Sequence, residues 1–180
     1  MSDLNARCLE AFPEWLKGLG SDIGALVELL TDEQLELGAR RWVAGGVNYL
    51  FKSLDLIPDG IAELGFIDDV FVVRVAARRA LAELGGGAAS DVLTRLAADA
   101  ELIEAFLEED FARLDSYVGG LSQVAARGRT VDDVLGDAGL RDAFVSEAKA
   151  WAESYEAPSF ARDEKNLVKL RAFLATKLPG

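Results

Sequence analysis

A chain of 180 residues that is 51% apolar has the material for one buried core, and its 19 basic against 31 acidic residues leave a net charge of −12. A balance this acidic repels phosphate backbones and anionic lipid, which sets aside nucleic-acid binding and membrane docking through the whole surface. The sequence has no histidine and a single cysteine, so the commonest general base, internal disulfides and His- or thiolate-based metal sites are all excluded. Cys8 lies among Leu4, Leu9 and Phe12 and reads as a small core or surface thiol. No basic-then-apolar leader opens the chain, and no stretch approaches the ~18 apolar residues of a membrane span. The expected location is the cytoplasm.

Apolar residues recur at three and four rather than at two, so helices are expected throughout and strands are not. Ser2 caps a helix through Phe12, which Pro13 breaks or restarts. Ser21 and Asp22 begin a second short helix ending near Leu30. Thr31, with Gln34 three residues on, fits a capping box. The helix it starts runs to about Ser53, striped by Leu35, Ala39, Trp42, Val43, Val47, Leu50 and Leu54. Gly38, Gly45 and Gly46 in this helix suit close approach of a neighbour.

An apolar connector, Leu56 to Ile67, comes next. Asp68 or Asp69 then caps a helix through about Leu84 that carries a basic strip of Arg74, Arg78 and Arg79. Gly85-Gly86-Gly87 stops it. Ser90 caps a long helix from Asp91 to Val118, whose Leu93, Leu96, Ala100, Ile103, Leu107, Phe111, Leu114 and Val118 form a coiled-coil-like seam. Its acidic faces read as solvated, or as a dock for a basic partner. After Gly119-Gly120, Thr130 and Asp137 cap two further helices, the second through Tyr155. Pro158 and Ser159 start the last helix, striped by Leu167, Leu170, Leu174 and Leu178. The sum is an all-α bundle of about seven helices: an N-terminal segment at 1–30, a core at 31–84 and an acidic extension at 88–180, packed as one unit.

The segment YLFKSLDLIPDGIAELGFIDDVFVV, Tyr49 to Val73, sets Asp55, Asp59, Asp68 and Asp69 in apolar surroundings. Carboxylates are rarely fully buried unless paired or coordinated. In a structural reading, Pro58 opens a turn, Asp55 or Asp59 accepts its backbone N–H groups, Asp68 or Asp69 caps the next helix, and Arg74, Arg78 or Arg79 pairs with what remains. In a site reading, the four carboxylates and nearby carbonyls are oxygen ligands for Mg²⁺, Mn²⁺ or Ca²⁺, at a spacing unlike an EF-hand. Ile57, Ile61, Leu64 and Phe66 are either core or, if exposed, a surface for a partner or a membrane.

The halves Leu54-Asp55-Leu56-Ile57-Pro58-Asp59 and Leu64-Gly65-Phe66-Ile67-Asp68-Asp69 resemble the YkvA-like family, a bacterial domain of unknown function. That family carries a pattern like P-x-D-L-I-P-D followed by G-[YLF]-[LI]-D-D. The resemblance covers roughly Thr31 to Leu84, with Pro58 and Gly65 as its structural residues. Ser53 and Ala62 stand where the family commonly has proline, which implies a connector that is less rigid or partly helical. The family has no established activity, so the resemblance implies fold more than function. The expected role is a non-enzymatic protein-interaction module with a protein partner or self-association. The alternatives are a divalent-cation-binding protein or cation-dependent enzyme using the four aspartates, and a peripheral membrane protein docking through the connector.

Overall fold

The computed structural model describes residues 2–52 and 55–180. Among them the chain is all-α as expected, with seven helices of nine or more residues, one of six, and no strand. The first helix, α1 (Asp3–Glu28), opens at Ser2, whose hydroxyl accepts from the Asn5 N–H at 3.1 Å. It neither breaks at Pro13 nor restarts at Ser21 or Asp22. A proline inside a helix costs about 3 kcal/mol. Burying a single large apolar side chain contributes about 1.5–3 kcal/mol, and Leu9, Phe12, Leu16, Leu19, Ile23, Leu26 and Val27 are all buried along α1. Packing of that face outweighs the lost hydrogen bond.

A 3₁₀ turn at Leu29–Thr31 closes α1, and the Thr31 hydroxyl donates back to the Glu28 carbonyl at 2.9 Å. Thr31 therefore ends one helix instead of capping the next. That next helix, α2 (Leu37–Asn48), is followed by a 3₁₀ turn at Tyr49–Phe51. Ser53 and Leu54, the expected end of this helix and of its stripe, lie outside the described residues.

The central helix is α3 (Ile67–Glu83). Val70, Phe71, Val72, Val73, Val75, Ala76 and Ala77 are all buried, a run interrupted only by the equally buried Arg74, as a stretch of helix enclosed by others requires. It packs against α2 on one side and α4 (Asp91–Leu107) on another. Gly46 makes the first contact possible, since a Cβ there would stand 2.8 Å from Ala76 Cβ. Beyond α3, Gly85 and Gly86 take φ of 54° and 89° and terminate the helix, as expected.

The helix expected to run unbroken from Asp91 to Val118 is in fact two. Glu108 adopts φ 53° and ψ −123°, and a 3₁₀ turn at Glu108–Asp110 leads into α5 (Phe111–Gly119). The apolar stripe is buried on both sides of the break, from Leu93 to Val118. The seam serves packing within the chain. Thr130 and Asp133 form a reciprocal capping box on the short α6 (Val131–Gly136), and Asp137 caps α7 (Ala138–Ser154). The last helix, α8 (Glu164–Lys177), is capped by Asp163 and not begun at Pro158 or Ser159.

One charged network crosses the core. Arg74 on α3 is 1% exposed. It donates to Asp99 of α4 at 3.0 Å and to Asp22 of α1 at 3.5 Å, and it lies over the Trp15 ring at 4.4 Å. Arg95 reaches the other Asp22 oxygen at 2.6 Å.

Candidate cation site

The connector ahead of α3 is a series of tight turns. Ile61 N–H donates to Pro58 O at 3.0 Å, Gly65 N–H to Ile61 O at 3.0 Å, and Ile67 N–H to Leu64 O at 3.3 Å. Glu63 and Phe66 take φ of 65° and 63°, a left-handed conformation that costs a non-glycine residue about 1–2 kcal/mol. At Gly65 the demand is for space: a Cβ there would fall 2.2 Å from the Asp59 carbonyl oxygen. Gly65 lets the connector fold back on itself and bring Asp59 to the start of α3.

Ile57 and Leu64 are fully buried, and Ile61 and Phe66 pack partly buried against the core. The Phe66 ring sits 5.5 Å from Tyr155 and 6.1 Å from Trp151. These apolar side chains pack into the core, Ile57 and Leu64 wholly and Ile61 and Phe66 in part, which leaves little apolar surface here for a partner or a membrane.

The N-cap of α3 is Phe66, with no side-chain cap. Asp68 and Asp69 lie inside the first turn, near the positive end of the helix dipole. The expected capping by one of them is thus not what the structure shows: entry through a left-handed Phe66 starts the helix ahead of both. Asp68 is 1% and Asp69 2% exposed, while Asp59 is exposed and Asp55 partly so. One oxygen each from Asp59, Asp68 and Asp69 lies within 4.8 Å of the others.

The Asp68 Oδ2 atom accepts from the Tyr49 hydroxyl at 2.5 Å and from the Ile57 N–H at 3.2 Å. The same hydroxyl accepts from the Leu56 N–H at 2.8 Å. Tyr49 is the residue that sequence reasoning missed, because a tyrosine set within an apolar stripe looks like one more core aromatic. Three further oxygens, Asp68 Oδ1, Asp69 Oδ2 and Asp55 Oδ1, are buried and unbonded. The arginines expected to neutralise them go elsewhere. Arg74 serves Asp22 and Asp99, Arg78 pairs with Glu104 at 2.6 Å, and Arg79 with Asp115 at 2.8 Å. Among the described residues no lysine or arginine forms an ion pair with any of the four aspartates. Lys52, whose charge acts on Asp55, donates to the Tyr117 hydroxyl and lies over that ring at 4.7 Å.

Carboxylates withdrawn from water without a counter-charge hold their protons more tightly. Burial, then the charges of Asp68 and Asp59, pushes Asp55 up to about 7 against the pull of Lys52. Burial lifts Asp68 to about 6, with the Tyr49 and Ile57 hydrogen bonds holding it down. Asp69 rises well above the ordinary carboxylate range through burial and the charges of Asp68, Asp59 and Asp55. Asp59 is raised by burial. The Tyr49 phenol is driven far upward by burial and by Asp68, so it remains a donor. Burial and the charges of Asp68 and Asp55 likewise push Tyr117 up to about 12.

A set of this kind suits a hard cation with oxygen ligands. Two oxygens on one ion stand no further apart than twice the metal–oxygen distance, roughly 4.6–5.2 Å for Ca²⁺ and about 4.0–4.2 Å for Mg²⁺. Three oxygens within 4.8 Å of one another lie close to the reach of Ca²⁺ and further from that of Mg²⁺, and either ion would draw them together.

Fold and site together define an all-α bundle built around a buried acidic centre, fed by one connector and one helix N-terminus. A family model described as "Protein of unknown function (DUF1232)", the YkvA-like family, matches residues 39–74. Those residues take in most of α2, the connector and the first half of α3, so the resemblance read from the motif is borne out there. No curated protein and no solved structure matches the chain. Among the described residues no helix is long and apolar enough to cross a membrane.

Proposed function

We propose that this chain binds a divalent cation between its connector and the first turn of α3, with Asp59, Asp68 and Asp69 as ligands and Asp55 at the margin. The observation that carries this reading is the pair of buried carboxylates, Asp68 and Asp69, each with an unbonded oxygen and neither with a basic partner. An unpaired buried charge costs several kcal/mol, and a cation of charge +2 among these oxygens removes that cost. Ca²⁺, with the longer metal–oxygen distance, fits the span better than Mg²⁺.

The support is for binding more than for catalysis. A cavity lined by Tyr49 and Lys52 holds about 10 Å³, room for a single water. An interaction role draws less support, because the apolar seam and the connector, which suggested it, are used inside the chain.

Isothermal titration of Ca²⁺, Mn²⁺ and Mg²⁺ into metal-stripped protein tests the reading. One site is expected in the wild type, abolished by Asp68→Asn with Asp69→Asn. Absence of both heat and thermal shift at millimolar metal would sink it.

A further inference from the structure

The connector is gripped from two sides. On one side, Leu56 and Ile57 bond to Tyr49 and Asp68, and Asp59 joins the acidic centre. On the other, a strap formed by residues 159–169 reaches over it from the opposite end of the sequence. Asn166 Nδ2 donates to the Glu63 carbonyl at 3.0 Å, Lys169 Nζ to the Ala62 carbonyl at 3.2 Å, and the Ser159 hydroxyl to Glu63 Oε1 at 2.9 Å. Asn166 is itself buried, and its amide also donates to the Ala161 carbonyl at 3.3 Å.

Between the two grips the backbone has little freedom. Glu63 and Phe66 are both left-handed, which leaves each a narrow conformational well. Gly65 lies so close to the Asp59 carbonyl that no Cβ fits between them. A shift at Glu63 moves Gly65, and Gly65 moves the residue that supplies the exposed ligand.

We propose, on the basis of the cation reading above, that cation binding at Asp59, Asp68 and Asp69 and docking of residues 159–169 on the connector strengthen each other. The strap is then the cation-responsive element of the molecule. Without a cation, repulsion among the carboxylates loosens the connector, and the strap loses the Ala62 and Glu63 acceptors that hold it. Coupling of this kind is reciprocal, so weakening the strap must weaken the cation by the same factor.

The test uses the full chain, stripped of metal, with and without millimolar Ca²⁺. Amide exchange across 159–169 is expected to slow when Ca²⁺ is added. The double variant Ser159→Ala with Lys169→Met touches no ligand and changes exposed residues, so it should fold. Titration should show Ca²⁺ binding roughly three- to tenfold weaker than wild type, the range expected for removing two such bonds. The sign is informative: loss of a positive charge alone would strengthen cation binding. The coupling is overturned if Ca²⁺ binds the wild type yet leaves strap exchange unchanged, or binds the double variant equally or more tightly. A wild type that takes up no Ca²⁺ overturns the cation reading, and the coupling with it.

Discussion

Substituting Asp69 with asparagine separates a ligand from a structural carboxylate by the sign of its effect. Asp69 is 2% exposed, its Oδ2 atom is unbonded, and Asp68, Asp59 and Asp55 all act on it with like charge. Folding must either bury that charge or take up a proton, and both cost free energy at neutral pH. Asparagine keeps the shape and removes the charge. The amide stays unbonded, so only the charge's share is relieved; taking about 2 kcal/mol of the several that an unpaired buried charge costs, the metal-free variant should be more stable than wild type by that amount. For a chain of this size that raises Tm by about 4–8 °C. The cation's contribution, about 2.7 kcal/mol at a concentration 100 times Kd, should vanish in the same variant. Thermal melts of both proteins at pH 7.5, in chelator and in Ca²⁺, give all four values. A metal-free Asp69→Asn protein less stable than wild type would refute the reasoning, because it would mean the carboxylate is satisfied as it stands.

Asp55 and Asp68 bind protons more tightly in the folded chain, at about 7 and about 6, than at the ordinary 3.8. The stability this lends is complete below pH 3.8 and is lost as pH rises through 6 and 7. Denaturant melts of the metal-free chain should therefore show these groups favouring folding at pH 5 over pH 7.5, with Ca²⁺ flattening the difference. Gly65→Ala must displace the Asp59 carbonyl and should cost about 1–3 kcal/mol, with weaker cation binding by titration. Glu108→Gly relieves a non-glycine residue at φ 53° and should raise Tm by about 2–4 °C. The Cys8 thiol is fully buried and pushed up to about 11 by burial, so a thiol reagent at pH 8 should label it only after denaturation.

The fold was legible wherever local chemistry decided it. Ser2, Ser90, Thr130 and Asp137 cap the helices their positions suggest, and Gly85 and Gly86 end α3. It was not legible where tertiary packing overrode a local signal. Pro13 looks like a break until the buried face of α1 is counted against it. The stripe from Leu93 to Val118 reads as one helix because the 3₁₀ turn at Glu108 returns the apolar residues to the same side. At the site, the crowding of four aspartates was visible, but their sorting was not. Phe66 as a left-handed N-cap carries no sequence signal, yet it turns Asp68 and Asp69 from caps into buried, unpaired carboxylates. Nor could the sequence show that every arginine of α3 is engaged elsewhere.

That engagement has a consequence for how α1 finds its place. An apolar helix face can slide by one turn, about 5.4 Å, and still bury leucines against leucines. Asp22 cannot slide with it, because its two oxygens answer Arg74 and Arg95 on two different helices. A slipped α1 would leave the Arg74 guanidinium in the core with half its partners, and breaking a buried pair costs about 3–5 kcal/mol. The network thus works as an index mark: it adds little to the depth of the native well and much to the height of its nearest competitors. Since α1 also carries Leu16, whose carbonyl receives the Tyr155 hydroxyl at 2.7 Å, the same mark sets where Tyr155 meets Phe66 and so where α3 begins.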